Sequence, residues 1–291
     1  MQGLLPYIIN GISAGGQYAL IAIGYTLVYG ILRLINFAHG DVFMVAGLIM
    51  VYASASMPMY IALPLVIVAT ALLGFLIERA AYKPLRTAPR MSLMISAIGV
   101  SYLIQNLAFY ITGGQPQPVT NPIPWISDTI SVLGASTKRV TLVTPVLTIL
   151  LVLLLVWLTK KTKVGLAMRA ASKDFETAQL RGVKINSVIS FTFVIGSALA
   201  AVGAMLYFTN YPNVAIGSGS MPGLKAFVAA VFGGIGSIPG AVVGAFIIGL
   251  CEELIKAIQP TFSDAFTFVI LIVVLCVKPT GLFGEKVTDK V

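Results

Sequence analysis

Asn36, His39 and Asp41 put an amide, an imidazole and a carboxylate inside the short stretch Asn36-Phe37-Ala38-His39-Gly40-Asp41, with long apolar sequence on both sides. Polar side chains at membrane depth are costly unless partnered, so such a cluster reads as a translocation or gating site. In the competing reading, Arg33 and Asp41 mark the cytoplasmic end of a helix, and His39 only caps or hydrogen-bonds it. A second interruption, Gly236-Ser237-Ile238-Pro239-Gly240, follows the short apolar segment Gly223 to Gly234. Paired Gly/Pro-interrupted segments point to broken helices that expose backbone to a pathway. Asn36, His39, Gly40, Asp41, Gly236 and Gly240 are therefore the candidate pathway residues, against the alternative of ordinary packing kinks.

Other chemistry is missing. No glycine loop ends in Gly-Lys-Ser or Gly-Lys-Thr, so the chain has no sequence for cradling nucleotide phosphates. The segment Gly217 to Gly223 has dinucleotide-loop glycines at the wrong spacing and no strand before it, and reads as a periplasmic turn. His39 is the sole histidine, and no Cys or carboxylate cluster has ligand spacing. We expect no catalytic residue, metal or cofactor. Cys251 and Cys276 are too few for a disulfide framework and are expected to be buried thiols.

The elements that must position these residues follow from composition. Of 291 residues, 58% are hydrophobic and 10% charged, against about half and a quarter in soluble domains. Apolar runs near twenty residues recur, none alternates, and lipid admits only helices or closed barrels. The expected fold is all-α: a polytopic integral membrane protein of eight or nine segments, broken or re-entrant helices included. The segments read as 5–32, 42–55, 61–77, 93–111, 141–158, 188–208, 223–234, 241–258 and 266–277. Gly11 to Gly15, Gly236 to Gly240 and Gly240 to Gly244 have the small-residue spacing of helix-packing faces. Gln17, Tyr18, Gln105 and Asn106 read as hydrogen-bonding glue between helices.

The net charge of +9 resides in short connections rather than in a nucleic-acid-binding stripe. Arg79, Lys83, Arg86 and Arg90 mark one cytoplasmic connection, and Lys160 to Lys184 another. Residues 112–140 then form a periplasmic loop with Lys138 and Arg139 as a minor exception. The tail with Lys278, Lys286 and Lys290 falls inside and the uncharged N-terminus outside, with the first helix retained rather than cleaved as a signal peptide. Glu252 and Glu253 read as the outer end of a helix. Within the second connection, Asp174 to Arg181 suits a short helix with acidic residues in its first turn, Arg181 in its last and Gly182 as its stop. Phe175, Ala178 and Leu180 give it a partly apolar surface that could dock into another protein's groove, or else lie on anionic lipid.

The motifs Tyr18-Ala19-Leu20 through Asn36-Phe37-Ala38-His39-Gly40, Glu78-Arg79-Ala80-Ala81-Tyr82-Lys83-Pro84-Leu85-Arg86, Gly165-Leu166-Ala167-Met168-Arg169-Ala170 with Ala178 and Gly182, and Phe232-Gly233-Gly234-Ile235-Gly236-Ser237 with Pro279-Thr280-Gly281-Leu282-Phe283-Gly284 span nearly the whole chain. In this order they resemble branched-chain amino acid ABC transporter permeases of the LivH type. The resemblance implies a single permease domain over residues 1–291 in a bacterial inner membrane. It also implies a second related permease, two cytoplasmic ATP-binding subunits and a periplasmic binding protein for leucine, isoleucine or valine. Gly165, Arg169, Asp174, Glu176, Ala178 and Gly182 would then belong to a coupling segment, 160–186, that meets the ATPases. Permeases for urea and other small amides look similar. A gradient-driven secondary transporter and a purely structural membrane subunit are the readings from other classes.

Overall fold

The computed structural model describes residues 3–86, 88–119, 123–132, 135–278 and 280–284. Among these, eight helical segments are long and apolar enough to cross a membrane. The chain runs α1 (Leu5–Leu32), α2 (His39–Ser56), α3 (Met59–Ile77) with a π turn over Glu78–Tyr82, and α4 (Arg90–Thr112). It continues through a short α5 (Pro124–Ser127), α6 (Arg139–Lys161), α7 (Lys163–Lys173), α8 (Phe175–Leu180) and α9 (Ile185–Asn210). The last helices are α10 (Ser220–Gly233), α11 (Ile238–Ile258) and α12 (Ser263–Val277). All nine expected segments are present, each within a few residues of its reading. Helix α2, for one, begins at His39 rather than at Val42. A first helical turn leaves its amides free of intrahelical partners, so polar residues fit there, and Asn36 Oδ1 accepts the Ala38 amide just ahead of it.

Among the described residues, strands occur only as short antiparallel pairs in the connections, β1 (Gln117–Pro118) with β4 (Asn213–Val214) and β2 (Thr129–Val132) with β3 (Ala135–Lys138). They give loop backbone a partner where no helix supplies one. The two exceptional basic residues are held locally: Lys138 Nζ donates to the Asn210 carbonyl at 2.6 Å, and Arg139 pairs with Asp128 at 3.3 Å.

Helix α1 is the hub. Its apolar window is 83% buried, against 17% for α4 and 11% for the last span, so α4 and α12 present their faces to lipid or to a partner. Cys276, expected to be buried, lies exposed on α12, since a helix packed on one side leaves its other face to an apolar surround. Between apolar helices in lipid the hydrophobic drive is absent, and close approach through small residues takes its place. A Cβ on Gly11 would stand 2.9 Å from Leu250 Cα, and one on Gly15 2.7 Å from Phe246 Cα, so these glycines are the α1–α11 seam. On the far side of α1, Thr148 of α6 donates to the Gly16 carbonyl at 3.2 Å.

The α10–α11 turn is built the same way. Gly240 packs on the Gly233 carbonyl, and Gly236 takes φ +98°, which only glycine adopts without strain. The terminal strap, residues 280–284, donates its Leu282 and Phe283 amides to Phe232 and Gly233, both at 2.9 Å. Two motifs far apart in sequence therefore close one helix end; Pro279, Lys286 and Lys290 lie outside the described residues.

Overpacking a tight seam costs about 1–3 kcal/mol. We expect Gly15→Val to lower the thermal unfolding temperature of the detergent-solubilised protein by several degrees, and Gly99→Val, whose Cβ would meet nothing within 4 Å, to leave it unchanged.

Candidate functional site

Three polar assemblies lie within the helical body. The first surrounds Asp41, in the first turn of α2. Its carboxylate accepts the Ser101 hydroxyl at 2.5 Å and the Gln105 amide at 2.9 Å, both from α4. Gln105 therefore bridges helices as expected, whereas Asn106 turns back to its own helix, donating to the Tyr102 carbonyl at 2.8 Å. A cavity of about 230 Å³ opens beside Asp41, walled by Tyr25, Phe37, Leu224 and Phe227.

Two interrupted helices start next to this cavity. Gly40 in α2 packs on Gly219 and Gly223 at the head of α10, a Cβ on Gly40 falling 2.8 Å from the Gly219 carbonyl oxygen. The Gly217 amide, in the non-helical approach to α10, donates to Met44 Sδ at 3.2 Å. Helix α10 has 14 residues, about 21 Å at 1.5 Å per residue, too short to cross alone.

His39 points elsewhere. Its ring is buried in a slot left by Gly24 of α1, where a Cβ would collide with the imidazole, and stands edge-on to Tyr25 at 4.9 Å. One ring nitrogen hydrogen-bonds the Ile21 backbone, while Nε2 is buried with no partner among the described residues. The Asn36–Asp41 stretch thus divides: Gly40 and Asp41 border the cavity, His39 packs between helices, and Asn36 faces the basic end. Gly236 and Gly240 stand apart, in the α10–α11 turn.

The second assembly lies at the basic end. Asn36 Oδ1 also accepts the Tyr82 hydroxyl at 2.9 Å, which ties the α1–α2 link to the π turn. Glu78, fully buried in that turn, pairs with Arg86 and accepts the Ser190 hydroxyl of α9 at 2.6 Å. Arg86 reaches on to Asn186. A cavity of about 1260 Å³, lined in part by Arg33, Arg86, Lys173, Asp174 and Lys184, separates this clamp from α7 and α8.

Helix α7 was not read as a helix from its sequence. Thr162 closes α6, caps α7 by accepting the Gly165 amide at 3.1 Å, and leaves Gly165 wedged against the Leu158 and Thr159 carbonyls. Arg169 donates to the Lys160 carbonyl at 3.3 Å, which pins α7 across the end of α6. Asp174 is the N-cap of α8, accepting the Glu176 amide at 2.9 Å and the Thr177 hydroxyl at 2.5 Å. Gly182 ends the helix at φ +82°. The apolar surface differs from expectation: Ala178 is buried against the body, while Leu180 is 89% exposed and Phe175 partly so. A six-residue helix has one inward position per turn, and Ala178 occupies it.

Of the third assembly, the sequence points to Tyr18 as an interhelical hydrogen-bonding residue and to Glu252 and Glu253 at a helix end, but not to their partners, because the pairs that cross helices join residues 27 or more positions apart. Lys225 of α10, itself buried, reaches Glu252 at 2.8 Å and Asp264 at 2.6 Å, and Lys256 reaches Glu252 at 2.7 Å and Glu253 at 2.6 Å. Tyr18 donates to Glu252 at 2.8 Å. Glu252 lies six residues, about 9 Å, from the end of α11, and this cluster anchors α10 to α1, α11 and α12.

The sequence profile described as "Branched-chain amino acid transport system / permease component" matches residues 7–275. The chain is 37% identical over 300 residues to the high-affinity branched-chain amino acid transport system permease protein BraD of Pseudomonas aeruginosa, covering 99% of this chain and 98% of that one. It is 39% identical over 300 residues to the permease protein LivH of Salmonella typhimurium, covering 99% and 97%. A solved structure described as an inward-facing conformation of a metal-chelate type ABC transporter superposes with a TM-score of 0.51 at 17% identity, over 94% of this chain and 87% of that one; the likeness is one of fold.

Removing one partner from a buried ion pair costs about 3–5 kcal/mol. Lys225→Met should destabilise the protein by an amount near the lower end, because Lys256 still reaches Glu252; chemical unfolding in detergent measures it. Bonds from the Thr177 hydroxyl and amide hold the Asp174 carboxyl below its usual range. With the folded value below the unfolded one, near pH 4, the cap is complete above that pH and is lost as pH falls through the folded value. At neutral pH, Asp174→Ala should speed hydrogen exchange at the Glu176 and Thr177 amides and leave α9 unaffected.

Proposed function

The chain belongs to the branched-chain amino acid transport system permease family, and we propose that it is the membrane-embedded permease subunit of an ATP-driven importer of leucine, isoleucine and valine. The observation that carries this reading is a family match over residues 7–275 together with likeness to BraD and LivH over nearly their full lengths. A bacterial inner membrane, a second related permease, two cytoplasmic ATP-binding subunits and a periplasmic binding protein complete the proposal.

The division of labour has a physical rationale. The chain carries no phosphate-cradling loop, so work must enter from another subunit. The segment from Lys160 to Lys184 is suited to receive it: two short capped helices set across the basic end, with Leu180 and Phe175 facing outward. A compact helix with an exposed apolar residue fits a groove on a partner. Arg169, Asp174 and Gly182 shape this elbow, while Gly165 and Ala178 seat it on the body. Behind it, the Glu78–Arg86 clamp and the Tyr82–Asn36 bond offer a route by which displacement of the elbow reaches the α1–α2 link. A gradient-driven carrier would need ion-coupling carboxylates free to change partners; Glu78 and Glu252 are each held by a basic residue, whereas Asp41 is bonded by Ser101 and Gln105, so the requirement for ATP is what separates the two readings.

In proteoliposomes containing the whole transporter, leucine uptake should require ATP and stop with orthovanadate. Leu180→Glu should reduce uptake at least tenfold by weakening copurification with the ATP-binding subunits, while leaving the permease folded. Accumulation of leucine against a gradient by this polypeptide alone would refute the assignment.

A further inference from the structure

Asp41 differs from the other deeply buried carboxylates of the described residues in having no basic residue beside it. The residue is 3% exposed, and a carboxyl group buried in its charged form is costly unless a cation compensates it beside its hydrogen bonds, the alternative being to hold a proton. The other two carboxylates buried as deeply, Glu78 and Glu252, have theirs in Arg86 and in Lys225 with Lys256. Among the described residues, no Lys, Arg or His nitrogen lies within 4 Å of Asp41. Its partners are the Ser101 hydroxyl and the Gln105 amide, which satisfy part of an acceptor with about four lone-pair sites.

What lies in front of it is space of a definite size. The cavity of about 230 Å³ has room for roughly seven or eight waters at about 30 Å³ each, or for one small amino acid. Its walls supply an apolar seat: Leu224 and Ile35 are aliphatic, and the Tyr25 and Phe227 rings meet at 5.9 Å and 64°. Aromatic faces attract cations as well as burying apolar groups. The cavity therefore offers a carboxylate without a counter-ion at one side and an aliphatic and aromatic wall at the other, next to the point where two interrupted helices begin.

We propose that this cavity is a substrate-binding station of the translocation path, in which Asp41 pairs with the ammonium group of a small aliphatic amino acid while Leu224 and Phe227 contact its side chain. The proposal rests on the transport reading given above and deepens it. No bond is made or broken: the ammonium exchanges water for the Asp41 carboxylate on entry and regains water on release. Ser101 and Gln105 are positioning residues that keep the carboxylate turned toward the cavity.

A purely structural Asp41, tying α2 to α4, makes the opposite prediction in one experiment. Asparagine keeps the shape and a carbonyl acceptor but not the charge; glutamate keeps the charge but not the shape. In proteoliposomes holding the complete transporter, with radiolabelled leucine uptake normalised to assembled complex, Asp41→Asn should lose at least tenfold, and Asp41→Glu should retain more uptake than Asp41→Asn. Equal uptake by wild type and Asp41→Asn, or Asn outperforming Glu, would overturn the proposal. Leu224→Phe, at a half-exposed position that should not threaten folding, provides a second measure should neither Asp41 variant assemble. It should reduce leucine uptake several-fold relative to alanine, and an unchanged leucine-to-alanine ratio would also overturn the proposal. If Asp41 instead held an inorganic cation, wild-type uptake would depend on sodium or potassium and Asp41→Asn would abolish that dependence, again against the proposal. Wild-type complex that hydrolyses ATP but imports no leucine would refute the transport reading itself.

Discussion

In a hydrocarbon environment every backbone amide, carbonyl and charge must find a partner inside the protein. An unbroken helix meets that demand by itself; each break in a helix has to be compensated by something else. This chain has breaks before α2, before α10 and between α10 and α11, and each is closed by a different device. Asn36 accepts the Ala38 amide and the Tyr82 hydroxyl at the first. Met44 sulfur accepts the Gly217 amide at the second. At the third, the terminal strap reaches back to the Phe232 and Gly233 carbonyls.

The same demand explains the charges. Glu78 and Glu252 are almost wholly buried; Glu78 is countered by Arg86, eight residues on, and Glu252 by Lys225 from another helix and by Lys256 from its own. These pairs lie toward opposite ends of the bundle: the first reaches α9 through hydrogen bonds to Ser190 and Asn186, and the other joins α10 to its neighbours. Ion pairs of this kind add little net stability over apolar packing, yet losing one partner is severe, so they fix which helix sits against which. Asp41, between them and lacking a cation, stands out against this background.

Glycine makes the arrangement compact enough to work. The α1–α11 seam at Gly11 and Gly15, the slot at Gly24 that receives His39, and the meeting of Gly40 with Gly219 and Gly223 all bring backbone within a distance that a Cβ would prevent. Along α1 from Gly11 onward these contacts leave the helix mostly buried; where they are missing, as on α4 and α12, apolar faces remain open for lipid or a second subunit.

Much of this could be read along the chain. Helices α1, α3, α4, α6, α9, α11 and α12 were legible because lipid imposes a length and an apolar composition on any span. The α8 cap was legible too, since Asp174, Glu176 and Gly182 act on amides only a few residues away. The burial of Ala178, the packing role of His39 and the Lys225–Glu252 pair were not, because each depends on which helix face meets a distant neighbour. Sequence by itself determined the membrane class, the spans and the local caps, all of which are set by composition and near-neighbour geometry. Only the tertiary structure decided that Gly40, Asp41, Ser101, Gln105 and Leu224 share one cavity, because their proximity arises from helix packing between residues up to 184 positions apart.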